Sequence, residues 1–363
     1  MIDTYSLQPE NSFWDGKKVF ITGHTGFKGG WMCKWLSSLG AKISGYSLAP
    51  GPTAKFYELN KLDKNLENSF IGDIRNYKFL KECLISTSPE IIIHMAAQPL
   101  VRYSYINPVE TYEINVMGTV HLLEAIKNVP SVKSVIVVTS DKCYENSDSG
   151  IVFSEGDRMG GNDPYSNSKG CVELVVSAYR KSFFEDKNKN PILIATARAG
   201  NVIGGGDWSD DRLIPDAFRA YDSSQELLVR APNSTRPWQH VLEPIAGYLM
   251  LSKALFIGKH NYVGGWNFGP QLEDVLSVKE VVSILSKNLG DRLIYRVEED
   301  MNIFHEAKFL MLSSEKSKNM LGWKSKIRVN KAIELTVDWH KQWLSGSDMA
   351  NVTLSQISEY SLI

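Results

Sequence analysis

No apolar run in this chain approaches the ~18 residues that a membrane-spanning helix needs, so no membrane partner is expected. Cysteine is scarce: Cys33, Cys83, Cys143 and Cys171 lie far apart, which suggests neither a disulfide framework nor a zinc knot. None of the seven histidines falls in a His-Glu-x-x-His pattern, and metal catalysis is not expected. Charge of either sign is not in excess, with 40 Lys and Arg against 41 Asp and Glu, so no nucleic acid or other polyanion is implied. The first residues carry Asp3 and Glu10 without an apolar core; they do not read as a signal peptide, and a cytoplasmic protein is expected. Internal repeats and low-complexity segments are also missing.

What is present is a chain of 363 residues with 43% hydrophobic content, enough for sizeable cores and about two domains. Lys18 to Thr22 is a short apolar run of strand type. Gly23-His24-Thr25-Gly26-Phe27-Lys28-Gly29 follows at once, with Trp31 to Leu36 behind it as a helix. Gly23, Gly26 and Gly29 stand three apart. That spacing suits a tight turn, close backbone approach to a pyrophosphate, and packing of the helix on its strand. A P-loop is excluded, because Lys28 is followed by Gly29 and Gly-Lys-Ser/Thr occurs nowhere. By itself such a loop can also be a plain structural turn.

Further strands are expected at Lys42 to Ser47, Ser69 to Ile71, Glu90 to His94, Ser134 to Thr139 and Pro191 to Thr196. Helical stretches lie between them, notably Pro108 to Asn128. This alternation predicts an α/β fold, a doubly wound parallel sheet of Rossmann type, with ligands outside the carboxyl ends of the strands. Gly23, Asp73, Ala96-Ala97 and Ser140-Asp141-Lys142 all fall at such ends.

Asp163 is a good N-cap and Pro164 suits the first helical position, so Tyr165 opens a helix and Lys169 stands one turn along the same face. A free phenol titrates near ~10 and is a poor base at neutral pH. A neighbouring ammonium, helped by an oxidised nicotinamide, is expected to lower that value so that Tyr165 takes a hydroxyl proton while hydride leaves the same carbon. An exposed helix with an incidental Tyr and Lys would show the same spacing, as a surface turn would show Asp141-Lys142.

Taken together, the glycine loop through Trp31, His94-Met95-Ala96-Ala97-Gln98-Pro99, Thr139-Ser140-Asp141-Lys142-Cys143-Tyr144, Tyr165-Ser166-Asn167-Ser168-Lys169, Arg236-Pro237-Trp238-Gln239-His240-Val241 and His305-Glu306-Ala307 resemble the extended short-chain dehydrogenase/reductases. Within that family the pattern is most similar to the CDP-glucose 4,6-dehydratases, over about residues 13 to 343. The resemblance implies NAD as cofactor, CDP-glucose as substrate, and a redox-neutral dehydration in deoxysugar or O-antigen biosynthesis. It implies cofactor contacts from Gly23, Thr25, Gly26, Phe27, Lys28, Gly29, Asp73, Ile74, Ala96 and Ala97. Tyr165, Lys169 and Ser140 would serve oxidation at C4. Asn201, Arg212 and Arg236 would contact the nucleotide, for which guanidinium groups suit a diphosphate. Elimination needs a proton donor and a proton acceptor, and Asp141 is assigned as acid with Lys142 as C5 base. The related dehydratases acting on dTDP-glucose carry Asp-Glu there. The family's acidic residue after the second strand is missing, and Ser47-Leu48 stands in its place, which removes the usual basis for preferring NAD over NADP.

Residues 11-200 are expected to form the NAD-binding domain, with 236-262 returning to it. Residues 201-235 and 263-345 are expected to form a smaller α/β nucleotide-sugar domain, and 346-363 a polar tail. Gly204 to Trp208 is either a hinge over the sugar or a plain loop. His305 is either near the substrate or a satisfied buried histidine. Relatives pair through helices that include the Tyr/Lys helix, so a homo-oligomer, dimer or tetramer, is expected. An epimerase or ketoreductase on the same fold, and a silent dinucleotide-binding regulator, are the alternatives.

Overall fold

The computed structural model describes residues 7–147, 150–185, 191–298 and 309–363; His305 and its neighbours lie outside the described residues. Seven strands form one sheet: β1 (Lys18–Thr22), β2 (Lys42–Ser47), β3 (Asn68–Ile71), β4 (Ile91–His94), β5 (Ser134–Val138), β6 (Leu193–Ala199) and β7 (Gly264–Phe268). Their spatial order is β7-β6-β5-β4-β1-β2-β3, and every pairing is parallel. The order reverses between β1 and β4, which opens a crevice at the carboxyl ends of those two strands.

Both faces of the sheet are covered, and successive residues of a strand serve opposite cores. Val19 and Ile21 of β1, Ile91 and Ile93 of β4, and Ile136 and Val138 of β5 lie in one hydrophobic cluster. Phe20, Ile92, Val135 and Val137 lie in the other. A strand buried on both sides has no polar alternation, which is why these segments read as continuous apolar runs.

The helices follow from their local sequence. α1 (Phe27–Ser38) buries Trp31, Met32, Cys33, Trp35 and Leu36. The stretch expected as one helix from Pro108 is interrupted: Glu113–Met117 is a π-turn, followed by α2 (Gly118–Ile126). Within that wide turn Asn115 reaches the loop after β4, accepting from the Gln98 N–H at 2.8 Å and donating to the Gln98 carbonyl at 3.1 Å and Ser168 Oγ at 2.9 Å. α3 (Pro164–Tyr179) starts as its cap requires, with the Asp163 carboxylate accepting from the Ser166 N–H at 2.9 Å. α4 (Leu242–Phe256) is buried all round from Leu242 to Leu255 and packs on β5 and β6.

Two expectations at the carboxyl end are corrected. The segment after residue 262 was assigned to the substrate lobe, but Gly264–Phe268 is the seventh strand of the main sheet. It fits because Trp266 and Phe268 are buried and because Gly265 leaves room for the Arg198 guanidinium, whose Nη2 would stand 2.2 Å from a Cβ there. The expected polar tail is helical: α5 (Val329–Leu344) is followed by α6 (Met349–Leu362), which buries Met349, Val352, Thr353, Ile357 and Tyr360. Tyr360 meets Trp35 of α1 edge-on at 5.5 Å and donates to Glu243 Oε2 at 3.0 Å, and Asp348 pairs with Lys61 at 2.8 Å. Asn351, Ser355, Ser358, Glu359 and Ser361 lie exposed on its other face and hide the helical period from a composition reading.

Beneath the carboxyl ends of β5 and β6 lies one buried ion pair. Glu173 of α3 accepts from Arg198 Nε at 2.9 Å and Nη2 at 2.7 Å, and from the hydroxyls of Thr139 at 2.5 Å and Thr196 at 2.6 Å. Arg198 also donates to the Tyr144 hydroxyl, which in turn donates to Asn267 of β7 at 2.7 Å. With its lone pairs filled, the carboxylate offsets much of its desolvation, whereas removing one partner of such a pair typically costs about 3–5 kcal/mol. The network joins α3 to three strands and so fixes the register of Lys169, one turn upstream of Glu173. Among the described residues no helix is long and apolar enough to cross a membrane.

Candidate active site

The glycine loop is built on the crevice. Gly23 adopts φ 77°, which favours glycine, donates to the Tyr46 carbonyl at 2.9 Å, and lies so close to the loop after β4 that a Cβ would stand 2.9 Å from Ala96 N. A Cβ on Gly29 would stand 2.0 Å from the Gly23 carbonyl oxygen, so α1 can rest on the turn only with glycine there. Gly26 is exposed in the lining of the cleft, where a Cβ would meet nothing closer than the Gly23 carbonyl oxygen at 3.4 Å. The result is a cradle with three positions free of side chains at the amino end of a helix, which fits a pyrophosphate.

Thr22 and His94 hold the floor of this cradle. Thr22 Oγ1 accepts from the N–H groups of Met95 and Ala96, each at 3.1 Å, so its own proton goes to His94 Nδ1 at 2.7 Å. That assigns the His94 proton to Nε2, which donates to Thr119 Oγ1 at 3.2 Å. At the far end, Thr25 Oγ1 meets Ser47 Oγ at 2.8 Å and donates to the Leu48 carbonyl at 3.1 Å, tying the loop to β2 where the acidic residue is missing. Asp73 lines the cleft, but its carboxylate is engaged by Arg75 through Nε at 3.0 Å and Nη2 at 2.6 Å, which holds its pKa below the usual range. The same guanidinium meets Glu110 at 3.4 Å and Glu113 at 3.3 Å, so this end of the cleft keeps net negative charge.

The cleft has a volume of about 1360 Å³, more than one drug-sized ligand needs. Its lining brings together the cradle, Ile74, Ala96, Ala97, Ser140, Asp141, Lys142, Tyr165, Lys169, Asn201, Arg212 and Arg236. Apart from His305, which lies outside the described residues, the catalytic, cofactor and nucleotide candidates marked in the sequence all line one cavity. Arg212 pairs with buried Asp207 at 2.9 Å, and Arg236, itself buried, donates to the Thr235 carbonyl at 2.9 Å. The loop read as a possible hinge is packed: Trp31 Nε1 donates to the Gly205 carbonyl at 2.9 Å, and a Cβ on Gly205 would meet the Trp339 ring at 2.1 Å.

The electrostatics correct one expectation. Burial pushes the Tyr165 phenol up to about 12; the Ser140 hydroxyl lowers it, Asp141 raises it, and the cation that lowers it is Arg212. Lys169 does not act on it in this way. Its amine donates to the Val138 carbonyl at 3.4 Å and is pushed down to about 8 by burial, with Glu173 pulling the other way. Lys28, lowered to about 8 by burial and by the nearby Arg212 and Lys169, stands 5.8 Å from the Tyr248 ring centre. Deprotonating Tyr165 therefore requires more positive charge than Lys169 alone provides.

Asp141 is the least expected group. It caps the end of β5 in a short turn, is 2% exposed, and accepts from Ser140 Oγ on Oδ1 at 2.9 Å; its Oδ2 is buried with no hydrogen-bond partner. Burial raises its pKa against the pull of Lys142, Ser140 and Arg236, which favours the protonated acid. Sequence reasoning missed Arg75, Asn115, Glu173 and Arg198. Only Glu173 left a signal, a lone charge four residues past Lys169 on an otherwise apolar face.

Comparison with known proteins places these features. Residues 20–336 match the family model for GDP-mannose 4,6 dehydratase. The chain is 46% identical over 353 residues to a CDP-glucose 4,6-dehydratase of Salmonella typhimurium, covering 97% of this chain and 98% of that one. It is 26% identical to the dTDP-D-glucose 4,6-dehydratase of Bos taurus, over 93% and 92% of the two chains. Among solved structures, the dTDP-glucose 4,6-dehydratase DesIV of Streptomyces venezuelae, with NAD bound, superposes with a TM-score of 0.77 at 23% identity, over 92% of this chain and 99% of that one.

Three buried rings give a pH test of this architecture. Burial lowers His24 to about 4 and His94 and His240 to about 3, so between those values and 6.5 the unfolded chain binds protons there that the folded chain does not. These rings therefore make stability fall on acidification, while Asp141, Asp216 and Glu243, held up by burial, offset part of the loss. Denaturant unfolding of His94→Gln should show a flatter acid dependence than the parent, by up to about 1.4 kcal/mol per pH unit. Equal slopes would mean that His94 is not buried neutral.

Proposed function

The chain belongs to the GDP-mannose 4,6-dehydratase family of extended short-chain dehydrogenase/reductases, and from that premise we propose that it converts CDP-glucose to CDP-4-keto-6-deoxyglucose and water. The observation that carries the reading is Asp141, a carboxyl buried with Oδ2 unbonded and its pKa raised by burial, followed directly by Lys142 in the same cleft as Tyr165 and Lys169. An epimerase or a ketoreductase gains nothing from such a donor and acceptor pair.

NAD would fit the cradle formed by Gly23, Gly26 and Gly29, with Thr25, Ala96, Ala97, Asp73 and Ile74 around it. When bound, it supplies the acceptor for the C4 hydride and the means of returning it to C6. Tyr165 removes the 4-hydroxyl proton, and Ser140 orients that oxygen. The ketone acidifies the C5 proton, which Lys142 accepts, while Asp141 gives its proton to the departing 6-hydroxyl, releasing water. Lys169 holds positive charge near the reacting end of the cleft, and Arg212 and Arg236 hold the diphosphate. Deoxysugar supply in the cytoplasm is the setting proposed for this reaction.

Two substitutions separate the steps. Lys142→Met should still oxidise C4 and then stall, leaving reduced nicotinamide on the enzyme with little alkali-absorbing 4-keto-6-deoxy product. Tyr165→Phe should form neither. Normal turnover by Lys142→Met would remove Lys142 as the base.

The reading extends to a second copy of the chain. Ile106 (73% exposed), Val109 (70%), Met117 (45%) and Leu174 (61%) stand on adjoining helices around α3, an apolar face that suits a homo-oligomer. Light scattering on Leu174→Arg should give a smaller species than the parent. A monomeric parent would refute the pairing.

A further inference from the structure

Gly200 follows Ala199, the last residue of β6, is partly buried, and is not among the glycines with positive φ. Its backbone would accept any residue, so conformation does not explain glycine at this position. Space does. A Cβ built on Gly200 would stand 2.9 Å from Asp141 Oδ2 and 2.7 Å from Pro237 Cγ, both closer than a real Cβ comes to its neighbours.

Neither neighbour can yield without consequence. The Pro237 ring is fixed in the short strand Thr235–Pro237, which pairs with Val275–Ser277. The Asp141 carboxyl could turn, but its Oδ1 accepts from Ser140 Oγ at 2.9 Å, so turning moves both oxygens and breaks that bond. Oδ2, the oxygen facing Gly200, is the one with no hydrogen-bond partner. A protonated carboxyl whose Oδ1 already accepts a hydrogen bond carries its proton on the other oxygen.

We infer that Gly200 is a positioning residue for the acid: by carrying no side chain it lets the Asp141 carboxyl stand with Oδ2 unbonded, and so ready to donate. The inference rests on the proposed dehydration, in which Asp141 protonates the departing 6-hydroxyl. The charged and titratable groups around Asp141 are Lys142 beside it, Cys143 in the same short turn, Arg236 on the neighbouring strand, Tyr165 on α3, Lys28 on α1 and Tyr248 on α4. Gly200 adds no charge to this set. A serine there would add a donor aimed at Oδ2, favouring the carboxylate that cannot give a proton.

The full chain with NAD and CDP-glucose tests this. Gly200→Ala should form reduced nicotinamide at the parental rate and then release 4-keto product about tenfold to a hundredfold more slowly, part of what a positioned general acid contributes. In Gly200→Ser the alkaline limb of the product-release rate should move to lower pH. A second measurement needs no activity: Gly200→Ala should lower the melting temperature less in an Asp141→Ala background than in the parent, because one of the two colliding groups is gone. Parental product release and pH profile in both variants would overturn the inference, as would equal melting losses in the two backgrounds. If the parent itself makes no 4-keto sugar from CDP-glucose, the dehydratase reading fails, and the melting cycle still decides whether Gly200 makes room for Asp141.

Discussion

A carboxyl group buried with one oxygen unsatisfied is the constraint on which this site depends. Burying an unpaired carboxylate is costly, and a protein that holds one usually neutralises it. Here that cost falls at the carboxyl end of β5, where burial raises the pKa of Asp141 and so favours the carboxylic acid over the ion. The rest of the arrangement makes that outcome tolerable. The Glu173–Arg198 pair locks β5, β6 and β7 to α3, so the floor cannot relax to hydrate the acid.

The two halves of the chemistry use opposite consequences of burial. For Asp141 burial favours the form the reaction needs. For Tyr165 it favours the phenol, which is the wrong form for a base, and Arg212 only partly compensates. On the proposed function, an oxidised nicotinamide beside Tyr165 would add positive charge and favour the phenolate.

Much of the first sheet was legible in the sequence because its signals are local. Runs such as Ile91 to His94 are apolar throughout, and the caps Asp163 and Pro164 announce their helix. The cradle was readable too, since the positive φ of Gly23 and the contact of Gly29 with the Gly23 carbonyl are local requirements, although the close approach of Gly23 to Ala96 is not. What could not be read depends on contacts distant in the chain. Gly264–Phe268 joins the sheet through Arg198, and α6 is recognisable as a helix only once Tyr360 is seen to meet Trp35 and Glu243. The charge near Tyr165 could not be read for the same reason: spacing placed Lys169 near it, but that amine donates to the Val138 carbonyl, and Arg212, forty-seven residues on, is the cation that lowers the phenol.

The central claim is that oxidation, loss of water and reduction occur on one glucose unit without exchange of the migrating hydrogen. CDP-glucose carrying deuterium at carbon four, turned over to completion, puts it to a direct test by mass spectrometry and proton NMR of the product. The account predicts the label on carbon six. Label lost to solvent, or still on carbon four, would contradict it.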